Sequence, residues 1–203
     1  MDLKTYILTE IDMLFSRYGI RSVTMDDIAK HLGMSKKTIY QHFSDKNKLV
    51  ITLMKSKIAS QVCIIDKGFE GVENAVHELF VAVDNLEEML SNTNPTLFFD
   101  LQKYYPAAWA LFKDFKEYVL YEKVLDNLKR GIEEQYYRAE INLEIIARMR
   151  IEQIDMAFNQ MVFSVQKFST SQVIRELTDH FLYGICTDKG QKLISDFKRK
   201  SEK

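Results

Sequence analysis

Between Thr24 and Leu49 the chain reads TMDDIAKHLGMSKKTIYQHFSDKNKL, a run that packs two helix starts, a turn and a lysine-rich segment into a short span. Thr24 and Asp27 form a T-x-x-D capping box: the hydroxyl can accept from a first-turn amide while the carboxylate reaches back to the cap. The spacing predicts a helix from Met25. Ile28, Ala29 and Leu32 share one face of it, and the small Ala29 lets a second helix cross closely. Gly33 suits the left-handed residue that ends such a helix, Met34 plugs the turn, and Ser35 caps a second helix from Lys36 to Phe43. Ile39 and Phe43, four apart, face inward. Lys36, Lys37, Thr38, Tyr40, Gln41 and His42 are left on the outer surface, a set too polar for a core. Two short helices about a glycine turn, the second with a basic outer face, read as a helix-turn-helix that meets duplex DNA.

Charge supports this placement. The formal net charge is -1, but residues 1–57 hold ten Lys/Arg against six Asp/Glu, and the rest hold eighteen against twenty-three. Between Lys30 and Lys57 seven lysines face a single acid, Asp45. A basic N-terminal end and an acidic body suit a nucleic-acid module attached to a non-binding one. Cys63 and Cys186 lie far apart with no C-x-x-C, so both read as free thiols, small buried hydrophobes in a reducing compartment. No apolar run has signal-peptide or membrane-span length, which places the expected protein in the cytoplasm, away from the membrane.

Seven Gly, two Pro and no alternating Val/Ile/Thr run predict an all-α chain. Apolar spacing predicts about nine helices: Leu3 to Tyr18, the two motif helices, a fourth from Asp45 to Ile65 capped by Ser44, then 72–90, 96–103, 107–136, 142–167 and 169–186. Gly68 and Gly71 punctuate the chain, as does the polar run 91–94 before Pro95. The expected division is a DNA-binding domain at 1–48, a sensing and dimerisation domain at 49–190 and a flexible tail at 191–203. Ile151, Ile154, Phe158, Met161 and Val165 recur at helical spacing, and Ile174, Leu177 and Phe181 continue the pattern in the last helix. Such seams either close the subunit's own core or meet a second copy.

The run from Gly33 to Leu49, with the T-M-D-D-I-A before it and Phe15-Ser16-Arg17-Tyr18-Gly19 ahead of that, resembles the N-terminal domain of the TetR/AcrR family of regulators. A weaker similarity continues in Tyr104-Tyr105-Pro106, in Gly131-Ile132 with Tyr137-Arg138, and in Gly184 to Thr187 before Gly190. The resemblance implies a homodimer on double-stranded operator DNA, joined through the last two helices, with a small-molecule effector in the body and repression as the commoner behaviour. It tips the seams toward a dimer interface.

At the exposed start of the recognition helix, Lys36 and Lys37 can reach guanine O6 or N7, and Thr38 a thymine methyl or a phosphate. Tyr40 can lay its ring against sugar or base. Ser35, the cap, is counted with them. The resemblance assigns Thr24, Gln41, His42 and Lys46 to the phosphate backbone, and for Lys46 the first-turn amides of the fourth helix add an anion site. Nine aromatic residues lie between 96 and 121. Since the resemblance implies a cavity, Phe98, Tyr104, Trp109, Phe112 and Phe158 are the expected lining for an apolar ligand.

Two rival readings differ in class. A helical di-metal enzyme would need paired Glu-x-x-His motifs, which are missing, so no cofactor, metal or catalytic residue is expected. A constitutive or protein-responsive DNA-binding regulator with a filled core has the same helix-turn-helix and no effector.

Overall fold

The computed structural model describes residues 2–67, 71–91, 94 and 96–201. Among them are eleven α-helices: α1 (Leu3–Tyr18), α2 (Met25–Leu32), α3 (Lys36–His42), α4 (Lys46–Lys67), α5 (Ala75–Ser91), α6 (Leu97–Tyr104), α7 (Pro106–Asp114), α8 (Tyr121–Glu133), α9 (Leu143–Phe158), α10 (Thr170–Ile185) and α11 (Asp188–Ser201). A π-helical stretch, Phe115–Leu120, runs between α7 and α8. The only β contact among these residues is an isolated bridge between Tyr137 and Cys186. The all-α expectation holds. The turn signals at Gly68 and at residues 92, 93 and 95 lie outside the described residues.

The chain forms two compact units. One comprises residues 1–63 and 90–115, the other 64–89 and 116–203. This departs from the expected boundary after residue 48, because α6 and α7 pack on the core of the helix-turn-helix. That core is Ile7, Ile11, Phe15, Ile28, Ile39, Phe43 and Leu49, with Leu101 of α6 and Ala108 of α7 buried in the same cluster.

In the second unit two of the weakly family-like segments meet, 131–138 and 184–190. The Tyr137 ring is buried and its hydroxyl donates to the Ala75 carbonyl at 3.1 Å and to Asn127 Oδ1 at 3.1 Å. Asn127 donates to the same carbonyl, and Glu134 accepts the Ala75 amide at 2.8 Å. Burial pushes the Tyr137 phenol well above its ordinary range. Gly131 lies against this ring so closely that a Cβ would stand 2.0 Å from Tyr137 Cδ2. At Gly190 a Cβ would stand 2.3 Å from the Tyr136 carbonyl oxygen. These glycines serve packing.

Four expectations need correction. The helix foreseen at 107–136 is interrupted by the π stretch, whose wider turn lets the consecutive Phe115 and Lys116 both be buried. The helix foreseen to Lys167 stops at Phe158, because Asn159 takes an extended conformation and its side chain accepts the Met161 amide at 3.0 Å, while its carbonyl accepts from Val162 and Phe163. Such local bonds compete with the helix ladder. The tail foreseen as flexible from residue 191 is helical as far as Ser201, the end of α11, with Ile194 fully buried and Phe197 stacked on His77 at 4.7 Å; residues 202 and 203 lie outside the described residues. Finally, Cys186 is buried but Cys63 is exposed.

The seam residues divide. Ile151, Ile174 and Phe181 are buried by the subunit itself, so they close its own core and offer no surface to a second copy. Ile154, Phe158 and Leu177 are half-buried. Met161, 95% exposed, and Val165 lie beyond the end of α9.

Replacing Gly131 by Ala is expected to force the Tyr137 ring out of its site and to lower stability by about 1–3 kcal/mol. Urea unfolding followed by circular dichroism measures this; an unchanged midpoint would contradict the close packing.

Candidate nucleic-acid interface

The helix-turn-helix forms as its caps dictate. Thr24 donates its amide to Asp27 Oδ2 at 2.8 Å, and the Asp27 amide donates to Thr24 Oγ1 at 3.2 Å, completing the box. Hydrogen bonds from the Thr24 hydroxyl and amide hold the Asp27 carboxyl below its ordinary range. Gly33 is left-handed at φ 62°, and its amide and that of Met34 close onto α2. Ser35 then caps α3, accepting the Thr38 amide at 3.1 Å.

This places Lys36, Lys37, Tyr40, Gln41 and His42 on the exposed side of α3, while Ile39 and Phe43 are buried beneath. Among the described residues Lys37 has no ion-pair or hydrogen-bond partner, and Tyr40 is 47% exposed. Lys36 is paired with Asp26 at 2.5 Å, and that bond raises its pKa. Any other partner of Lys36 competes with this weak surface pair. Thr38 is half-buried, and its hydroxyl shares a 2.8 Å hydrogen bond with Ser35 Oγ. Its reach is shorter than that of its neighbours.

Lys46 is placed differently from expectation. Its ammonium donates to the Ile20 carbonyl at 2.5 Å and lies 5.8 Å from the ring centres of both Phe15 and Tyr105. Burial lowers its pKa. The cap of α4 is Asp45 rather than Ser44: its carboxylate accepts the Lys48 amide at 2.8 Å and the Ser44 hydroxyl at 3.0 Å. A carboxylate thus already occupies the amides foreseen for phosphate. Lys46 instead ties α4 to the turn after α1.

Sequence reasoning also missed the clamp on that turn. Asp100 of α6, nearly fully buried, accepts the Arg21 amide at 2.9 Å. The Arg21 guanidinium donates to Tyr104 Oη at 2.7 Å and stacks over its ring. The Asn94 amide donates to the Ser16 carbonyl. The buried acid sits among aromatics in a stretch that composition marked only as apolar.

The expected pocket residues are not assembled in one place. Phe98, Trp109 and Phe112 cluster within the first unit, with ring centres 5.2–5.6 Å apart, and Trp109 and Phe112 pack on the helix-turn-helix core. Tyr104 holds Arg21. Phe158 belongs to the second unit.

With this geometry, residues 7–53 match the family of bacterial regulatory proteins described as the tetR family. The N-terminal segment is thus a DNA-binding domain of the tetR type. It is 27% identical over 186 residues to the HTH-type transcriptional regulator YvaF of Bacillus subtilis (strain 168), covering 90% of this chain and 95% of that one. It is 22% identical over 153 residues to the HTH-type transcriptional repressor KstR2 of Mycobacterium tuberculosis, covering 66% of this chain and 69% of the other. Its fold is similar to the crystal structure of the transcriptional regulator FadR from Bacillus subtilis in complex with stearoyl-CoA, with a TM-score of 0.67, 17% identity and coverage of 89% and 98% of the two chains. A TetR-family regulator is not an enzyme.

Lys37→Ala is expected to leave stability within about 0.5 kcal/mol of the wild type, as for a free surface side chain. Lys46→Ala, which removes a charged hydrogen bond, should cost about 1–2 kcal/mol. Urea midpoints of the two variants separate the cases, and a Lys46→Ala chain as stable as the parent would return Lys46 to the phosphate-contacting set.

Proposed function

We propose that this chain is a TetR-family repressor that binds its operator as a homodimer and leaves it when a small, largely apolar effector occupies the body. The observation that carries the DNA half is the exposed outer face of α3, where Lys37, Tyr40, Gln41 and His42 stand over a buried Ile39 and Phe43. Lys36, Lys37 and Thr38 read bases from the N-terminal end of α3. Thr24, Tyr40, Gln41 and His42 hold the phosphate backbone, with Ser35 shaping the approach.

A twofold operator needs two such helices about one duplex turn apart, which a single chain does not supply. The surface that suits a second copy is the apolar set Met161, Val162, Val165 and Phe168, all exposed after the end of α9. Repression accords with the similarity to the transcriptional repressor KstR2, and an effector accords with the stearoyl-CoA held by FadR. Control needs only that the effector prefer the form unable to bind DNA; a hundredfold preference supplies about 2.7 kcal/mol.

Selecting bound fragments from genomic DNA gives the operator. On that duplex Lys37→Ala is expected to weaken binding by about 1–3 kcal/mol and to relax the base preference at one position of each half-site. Equal retention of wild type and variant on every fragment would contradict the assignment. Sedimentation of Met161→Glu/Val165→Glu is expected to show monomers where the parent is a dimer.

A further inference from the structure

Two exposed cations meet on one ring of α6. Arg21, in the turn after α1, donates from Nη1 to Tyr104 Oη at 2.7 Å, and its guanidinium carbon stands 4.5 Å from the Tyr104 ring centre. The Lys103 ammonium lies 5.4 Å from the same centre and 5.2 Å from that of the exposed Phe99. The two charges are therefore no farther apart than the sum of their distances from the Tyr104 ring. Among the described residues neither is paired with a carboxylate. The acid of this helix, Asp100, is buried and accepts the Arg21 backbone amide, not the guanidinium.

An aromatic face holds a cation without neutralising it. Among the described residues one of the five N–H donors of Arg21 has a partner, and none of the three of Lys103. The Tyr104 hydroxyl accepts from Arg21, which leaves its own proton to donate. A third positive charge stands at the turn, since the Lys46 ammonium reaches the Arg21 carbonyl at 3.4 Å. Like charges held side by side repel, and an anion bound among them relieves that repulsion. The guanidinium is already fixed by Tyr104, so little of its freedom is lost on binding.

Position along the chain indicates which anion. Arg21 lies three residues before Thr24, the exposed cap that opens α2 and a member of the phosphate-contacting set above. The basic surface of the helix-turn-helix thus continues through Arg21 onto α6. We propose that Arg21 and Lys103, with the Tyr104 hydroxyl, bind a backbone phosphate of the operator outside the bases met by α3. This contact rests on the operator reading above and carries the DNA footprint to residues beyond the matched segment 7–53. A phosphate contact positions the protein and strengthens binding to every sequence alike.

The full chain is titrated against the selected operator by fluorescence anisotropy at several salt concentrations. One duplex extends about one helical turn beyond each half-site and the other ends at the half-sites. On the extended duplex Lys103→Gln is expected to weaken binding on the order of threefold to tenfold and to lower the log–log salt slope by about 1 for each subunit bound, with the base preference unchanged. On the trimmed duplex it should match wild type. Arg21→Gln should behave alike; Lys103 bonds neither the turn nor a cap, so its variant decides the matter where Arg21→Gln disturbs the turn. Unaltered affinity and salt slope of Lys103→Gln on the extended duplex would overturn the proposal. Equal weakening on both duplexes, the mark of a structural effect, would overturn it too. Lys103-dependent binding of polyglutamate with unaltered DNA binding would give the patch to an acidic protein partner instead. Lys37→Ala separates this contact from the reading beneath it. If Lys37→Ala weakens binding and Lys103→Gln does not, the α6 contact alone fails; if neither variant alters it, or wild type binds no duplex, the operator reading fails as well.

Discussion

The turn from Gly19 to Arg21 holds the DNA-binding unit together. Two groups converge on it, the Asp100 carboxylate accepting the Arg21 amide and the Lys46 ammonium donating to the Ile20 carbonyl, and Asn94 bonds the end of α1 just before it. Gly19 has φ 80°, and a Cβ there would stand 3.0 Å from Thr96 Oγ1 and 3.3 Å from Asp100 Oδ2, so the turn is pressed against α6. Because this turn joins α1 to α2, and α2 leads into α3, its geometry bears on where α3 stands. The recognition surface therefore depends on residues some eighty positions away in sequence.

That dependence explains why residues 90–115 belong with the helix-turn-helix. Phe98, Trp109 and Phe112 were expected to line a ligand cavity, yet they extend the DNA-binding core. Aromatic density gives no sign of which core it serves. The physical consequence is that α6 and α7 share the core on which α3 rests.

The N-terminal half was legible because its signals are local. Thr24 with Asp27, Gly33 and Ser35 each satisfy a backbone group within three or four residues, and the helices start and stop where those bonds require. The errors arose where a distant partner decides. Lys46 follows the family pattern, but Ile20 and two aromatic rings enclose it. Ile151, Ile174 and Phe181 have the periodicity of an interface and are consumed by the subunit's own core, a choice that spacing alone leaves open. The break at Asn159 was readable in principle, since an Asn followed by exposed apolar residues can close a turn on itself, but the seam ran through it. The burial of Arg150 in α9 carried no signal at all, because a charged residue within a seam looks like the solvated side of a helix.

The helix-turn-helix keeps its shape because α6 holds it through Asp100. Amide hydrogen exchange of wild type and Asp100→Ala, followed by mass spectrometry of peptides from residues 3–43, tests it directly. Faster exchange spreading from Arg21 through α1, α2 and α3 is the predicted result. Faster exchange confined to α6, with residues 3–43 as protected as in the parent, would contradict it.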